Sequence, residues 1–254
     1  KMLPKSDWAG ITQYVRLFTN ERWTIDMIHM VQFGVFFISS ALILGFLLAV
    51  FVDQKVRLEG VFRTIYLYSY AISFVACGVV WQWMFNPTLG IQRSLQSWGW
   101  ESARFDWIAS QDMAIYCVVI ALLWHSAGLV MAILLAGLRG VDEELWKAAR
   151  IEGVPRWRYY VSIVLPQLGA TVSTAVVLLA ISVVKVYDAV VAMTNGGPGD
   201  ATDVPSKFIM DNLFERQNIG LASAASTTML VTVLIIIAPL MYARSRSQAA
   251  ARHS

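Results

Sequence analysis

Three stretches of this chain, residues 31–52, 65–85 and 220–242, carry no charged side chain, and each has the about 20 residues an apolar helix needs to cross a bilayer. Two further runs are as long. Residues 114–138 hold one imidazole, His125, and no other acid or base among Asp, Glu, Lys and Arg; residues 169–194 hold Lys185 and Asp188. Hydrocarbon offers no water to backbone amides, so a span exposed to lipid must satisfy its own hydrogen bonds as a helix. The chain is therefore expected to be an all-α integral membrane protein, a polytopic helical bundle of five visible spans forming one transmembrane domain over residues 1–254. Its charged fraction of 15%, against about a quarter in soluble domains, and its mean hydropathy of +0.57 agree with that class.

Basic residues orient the bundle. Lys55, Arg57 and Arg63 follow the first span; Arg139, Lys147, Arg150, Arg156 and Arg158 lie between the third and fourth; Arg244, Arg246 and Arg252 follow the fifth. On the opposite side the Lys and Arg residues are spread over much longer segments. Short loops rich in Lys and Arg stay in the cytoplasm, so these three segments face inward from the cell (inner) membrane. The first residues are then outside, yet they show no basic region, apolar core and small-residue cleavage site of a signal peptide. The expectation is an earlier crossing helix ahead of Lys1, giving six natively with both ends inside.

The inward loop 139–166, RGVDEELWKAARIEGVPRWRYYVSIVLP, reads as two short helices joined by a bend. Asp142 caps the first, with Glu143 and Glu144 in its positive first turn, and Leu145, Ala148 and Ala149 give it a small-residue face. Gly153 turns the chain, Pro155 suits the first turn of the next helix, and Pro166 interrupts the ladder ahead of the fourth span. In the second helix Trp157, Tyr160, Val161 and Val164 recur at helical spacing and predict a stripe facing protein or interface. Two readings fit the pattern: an amphipathic hairpin resting on lipid headgroups, or a rigid elbow wired to the spans.

Lys147-Ala148-Ala149, Gly153 and Ile163-Val164-Leu165-Pro166 resemble the signature of the membrane-spanning subunits of ATP-binding-cassette importers, specifically the carbohydrate-uptake permeases of maltose, glycerol-phosphate and glucose type. That signature runs Glu-Ala-Ala, three residues, Gly, nine residues, Ile-x-Leu-Pro, and the spacing is kept here. Residues 8–18, 84–90 and 193–203 look like outer segments of the same branch. The resemblance implies that the loop docks on a cytoplasmic ATPase and transmits its closure. It implies as partners a second homologous permease subunit, two ABC ATPase subunits, an extracytoplasmic solute-binding protein and membrane lipid. No cofactor would be bound by this chain, ATP and Mg²⁺ being used by the ATPases. The implied cargo is a sugar, either a glucose-type hexose or an oligosaccharide or glucoside, with a polyol or glycerol phosphate as the nearest alternative. One residue departs from the pattern: the family's Glu is Lys147, a cation that cannot accept hydrogen bonds. Glu144, one turn earlier, is the expected substitute.

No Gly-x-x-x-x-Gly-Lys-Ser/Thr loop is present to cradle ATP phosphates, and no Ser, His and Asp set suggests catalysis, so the chain is expected to transport without an ATPase site of its own. His29, His125 and His253 lack metal-ligand spacing. Cys77 and Cys117 read as buried thiols, and no patch of basic and aromatic residues suits nucleic acid. Residues 195–199 form a turn-making outer loop that a binding protein could touch. Lys185, Tyr187 and Asp188 are candidates for a solute path, with Trp81, Gln82, Trp124 and His125. A structural Lys185–Asp188 ion pair, interfacial anchoring by Trp81 and Trp83, and a helix–helix hydrogen bond from His125 are the alternatives. An ion-coupled secondary transporter would use Lys185, Asp188 and His125 as a relay, but no internal repeat supports it. A membrane-embedded glycosyl-transferring enzyme would want placed carboxylates, and only scattered acids are visible.

Overall fold

The computed structural model describes residues 10–54, 59–102, 104 and 106–251, so Lys1, Lys5, Trp8, Lys55, Arg57, Arg252 and His253 of the topology and site readings lie outside the described residues. Helix α1 (Thr12–Phe18) leads into α2 (Glu21–Asp53); α3 (Glu59–Tyr70), α4 (Phe74–Met84), a short α5 (Ile91–Ser97) and α6 (Ala114–Leu138) follow. The inward loop holds α7 (Glu143–Ile151) and α8 (Arg156–Gln167). Then come α9 (Gly169–Val184), α10 (Tyr187–Met193), α11 (Pro205–Met210) and α12 (Ile219–Ala251). Every regular element among the described residues is helical, as the apolar runs require.

Both faces of α2 are apolar. Met30, Phe33, Phe37, Ala41, Ala49 and Val52 are buried, while Val31, Val35, Ile43, Leu47 and Phe51 are exposed. In water that second stripe would be a large hydrophobic patch; lipid tails are as apolar as leucine, so in a membrane the two faces need not differ. Helix α6 is also apolar all round and is the more enclosed of the two, with 67% of its apolar window buried against 28% for α2.

Two predicted spans are interrupted. Residues 65–85 form α3 and α4, separated at 71–73, where Ser73 caps α4 by accepting a hydrogen bond from the Ala76 amide at 3.2 Å. His125 Nε2 donates to the Ile72 carbonyl at 2.9 Å, which satisfies one of the acceptors freed by the interruption. The run 169–194 stops as α9 at Val184 and resumes as α10 at Tyr187. Neither Pro nor Gly marks either place, so hydropathy reads both as continuous. Helices α8 and α9 meet at 76° about Leu168, two residues past Pro166. Among the described residues, two helices are long and apolar enough to span alone, and up to four spans result if the bent pairs α3 with α4 and α8 with α9 each count as one; the last run appears as the apolar stretch Ile219–Ile235 of α12.

The contacts gather into two units, each drawing on three separate parts of the chain. The first holds residues up to 36, 73–122 and 181–238. Its core is Leu17, Trp23, Phe208, Leu221, Ala224 and Ala225, with Trp23 and Phe208 edge-to-face at 5.3 Å between centroids. Cys77 donates its thiol hydrogen to the Ala121 carbonyl at 3.5 Å, and both cysteines are buried and free. The second unit holds residues 37–72, 123–180 and the end of the chain from 239. There α6 reaches the α3 backbone through Gly128, where a Cβ would overlap the Tyr66 carbonyl.

Candidate functional site

The site is built in the second unit, on loop 139–166. Helix α7 begins where Asp142, in extended conformation, accepts from the Glu144 amide at 2.9 Å. Glu143 and Glu144 occupy the positive end of the helix and Arg150 its negative end. After Ile151, Gly153 takes φ +70°, a left-handed conformation that costs a residue with a Cβ about 1–2 kcal/mol. Pro155 stands one place earlier than expected: it is the cap before Arg156, not part of the first turn.

The stripe predicted on α8 needs correction. Trp157 is 70% exposed and Val161 51%, whereas Tyr159 and Val164 are buried. The cause is a π-helical turn over Tyr159–Val164. Its i→i+5 hydrogen bonds put Tyr159 and Val164, five apart, on one face, so of the predicted set Val164 is buried and Tyr160 half-buried, while Trp157 and Val161 are not. Tyr159 meets Trp146 edge-on at 4.8 Å, and the Arg156 guanidinium lies 6.0 Å from the Trp146 ring. The two limbs of the elbow are thereby locked on their inner side. The small-residue face splits in the same way. Ala149 is buried, while Glu144, Leu145, Lys147, Ala148 and Ile151 are exposed.

Two polar contacts attach the elbow to its own unit. The Tyr160 hydroxyl donates to Asp53 Oδ2 at 3.1 Å, and Arg139 pairs with Glu59 at 2.6 Å. A cleft of about 680 Å³ opens beside them, with Trp146, Tyr159 and Tyr160 in its wall. Of the remaining loop residues, Ile163 is half-buried and Gly153, Leu165 and Pro166 are exposed.

The solute-path candidates divide between the units. In the first, Lys185 and Asp188 are exposed at the gap between α9 and α10, with Tyr187 half-buried. No ion pair joins Lys185 to Asp188 among the described residues. Trp81 is half-buried against Phe85 at 5.3 Å, Gln82 is exposed and Trp83 is 71% exposed. Trp124 and His125 lie in the second unit, where Trp124 is exposed and His125, buried, holds the Ile72 carbonyl.

One charged constellation escaped the sequence reading. In the first unit Arg22 Nε donates to Asp203 Oδ2 at 2.8 Å, and Nη2, 2.7 Å from the same oxygen, donates to Asp211. Lys207 Nζ donates to Asp211 Oδ2 at 2.9 Å and stands 3.5 Å from Asp203. Burial pushes the Asp211 carboxyl up, but the hydrogen bonds from Arg22 and Lys207 outweigh it and hold the group below the usual carboxylate range. Burial likewise pulls the Lys207 ammonium down, and the bond to Asp211 with the charges of Asp203 and Asp211 more than restores it, so it lies above its ordinary value. The i,i+4 spacing of Asp203, Lys207 and Asp211 was visible in the sequence; nothing local pointed to Arg22. Ahead of this cluster, Thr202 Oγ1 donates to the Gly197 carbonyl at 2.9 Å, closing the glycine-rich outer loop on itself.

Over residues 41–247 the chain matches the family of binding-protein-dependent transport system inner membrane components. The chain belongs to this family. The permease is 32% identical to a probable ABC transporter permease protein of Pyrococcus horikoshii, over 95% of this chain and 83% of that one. It is 28% identical to the trehalose/maltose transport system permease protein MalF of Thermococcus litoralis, over 91% of this chain and 78% of that one. Among solved structures, that of a bacterial ABC transporter involved in the import of the acidic polysaccharide alginate aligns with a TM-score of 0.82 at 20% identity, over 95% of this chain and 85% of that one. The fold is thus that of an ABC importer permease. Loop 139–166 and the last four apolar runs all fall inside the matched region.

Proposed function

We propose that this permease is the membrane-spanning subunit of an ATP-driven importer for a glucose-type hexose, or for an oligosaccharide or glucoside. Separate ATPase subunits drive it, a second homologous permease completes the pathway, and an extracytoplasmic solute-binding protein delivers the sugar. The observation that carries this reading is the elbow at 139–166, braced behind by Trp146, Ala149 and Tyr159 and open in front at Glu144, Leu145, Lys147, Ala148 and Ile151. A hairpin resting on headgroups would turn all its aromatic residues to lipid; here Trp146 and Tyr159 turn inward and stiffen the elbow, and of the tryptophans on it Trp157 alone is exposed. The trehalose/maltose relative supports a sugar as cargo. Lys185, Tyr187 and Asp188, at the gap between α9 and α10, are the path residues, since interrupted helices expose backbone and polar groups where transporters hold solutes. In the same unit Trp81 and Gln82 supply further stacking and hydrogen-bonding groups.

The test is purification through a tag on this chain, followed by reconstitution of everything that co-purifies. Uptake of labelled glucose or a glucoside should require ATP and stop with vanadate. Uptake driven by a proton or sodium gradient without ATP would refute the reading. The unpaired state of Lys185 and Asp188 favours a second cargo, an anionic one such as glycerol phosphate, because a free ammonium can meet a phosphate. Competition of uptake by excess glycerol phosphate, a neutral polyol and the sugars separates the two.

A further inference from the structure

We propose that Tyr160 is the positioning residue through which the elbow moves α2, by way of its hydrogen bond to Asp53. This rests on the coupling role proposed for loop 139–166. Asp53 is the last residue of α2, where a carboxylate meets the negative end of the helix and is disfavoured by it. Its position is explained by the donor opposite, the Tyr160 hydroxyl at 3.1 Å from Oδ2. Tyr160 in turn faces Asp53 because of the π-helical turn, which commits the neighbouring Tyr159 to Trp146 and α7. Consecutive side chains thus grip two different partners: Tyr159 holds the limb that a motor subunit would push, and Tyr160 holds the end of the long helix α2. The second contact of the elbow, Arg139 with Glu59, has side chains 45% and 28% exposed and is weakened by solvent and salt. The Tyr160–Asp53 bond is half-buried at both ends and is screened less by solvent and salt.

The test uses the importer purified with its co-purifying chains, and the readout is sugar moved per ATP hydrolysed. Tyr160→Phe removes one oxygen and keeps the ring; Asp53→Leu removes the acceptor; Asp53→Asn retains a carbonyl that still accepts from the hydroxyl. The ratio should fall on the order of tenfold in Tyr160→Phe and Asp53→Leu, the worth of one hydrogen bond to a charged group, and stay near wild type in Asp53→Asn. Melting temperature and the yield of co-purifying ATPase should be unchanged in all three. An unchanged ratio in Tyr160→Phe overturns the proposal. So does an Asp53→Asn variant as impaired as Asp53→Leu, or a loss of melting temperature and ATPase yield that parallels the loss of coupling, since each describes a merely structural contact. Cross-linking of an Ala148→Cys variant to the ATPase checks the underlying reading separately. Cross-linking at full yield with Tyr160→Phe still coupled removes only the Tyr160 assignment, whereas no cross-link in the wild-type background removes the coupling role and the assignment with it.

Discussion

Arg22 neutralises two carboxylates that the fold keeps from water, and its removal isolates them. Arg22→Leu leaves Asp203, with a side chain 2% exposed, and Asp211 sharing only Lys207. Breaking a buried pair from one side costs about 3–5 kcal/mol, so the melting temperature in detergent should drop on the order of 10 °C. The same cluster sets a pH signature. The folded value of Asp211 is depressed, so its contribution is complete above the ordinary carboxylate value of about 3.9 and is lost as pH falls through the lower folded value. Lys207 is raised, so its contribution is complete below about 10.4 and is lost as pH rises through the higher folded value. Between those limits neither partner of the bond changes charge. Asp211→Asn should therefore melt earlier than wild type at pH 7, and the gap should shrink in acid below about pH 4; a gap that stays constant would contradict the assignment. On the elbow, Lys147 holds the place of the family's Glu, and both it and Glu144 are exposed on α7. Glu144→Lys is expected to cut ATP-coupled uptake without loss of assembly, while Lys147→Glu sustains or raises it. Intact coupling in Glu144→Lys removes Glu144 from the role.

Elements were legible where one periodicity acts alone. Helix α6 has the predicted bounds, Ala114–Leu138, because a long apolar run without a breaker has no alternative in lipid. The cap at Asp142 and the bend at Gly153 were legible because short-range hydrogen bonding and a positive φ leave marks in residue type. The interruptions at 71–73 and 185–186 were not legible, since ordinary residues carry them; at the first, the compensation comes from elsewhere, His125 satisfying the Ile72 carbonyl far along the chain. The π-helical turn was equally silent, and it placed Tyr159 rather than Trp157 and Val161 on the buried side of α8 with Val164. Close approach between helices is testable here. A methyl at Gly128 collides with the Tyr66 carbonyl, which as backbone cannot step aside. Gly128→Ala should sharply reduce the amount of folded protein. Gly60→Ala, with nothing within 4 Å of the added carbon, should be neutral or gain about 0.5–1 kcal/mol from helix propensity. Equal yields of the two variants would contradict the packing of α6 on α3.

Across the whole molecule, chain order and spatial grouping part company. Helix α2 passes from the first unit to the second after Phe36 and α6 does so after Leu122, whereas α9 passes from the second to the first after Ala180, so neither unit is a continuous piece of sequence. Function at this scale is transport. The prediction that belongs here concerns cargo charge. Lys185→Met should lower uptake of an anionic solute on the order of tenfold, the worth of one charge-assisted bond, and change a neutral sugar little; KM for each, measured in reconstituted vesicles, gives the comparison. No change for either solute would take Lys185 off the path.

The sequence by itself determined the solvent of this protein, its all-helical class, the inward loop with its cap and bend, and the family that the loop resembles. These follow from hydropathy, from the lack of water in hydrocarbon, and from residue types with strong local preferences. Tertiary structure alone decided how the interruption at 71–73 is satisfied, which residues of α8 are buried, that Arg22 serves both Asp203 and Asp211, and that Tyr160 meets Asp53. Each of these depends on a partner more than fifty residues away or on a shift of helical phase, and a hydrogen bond closed at that distance leaves no periodic trace in the chain.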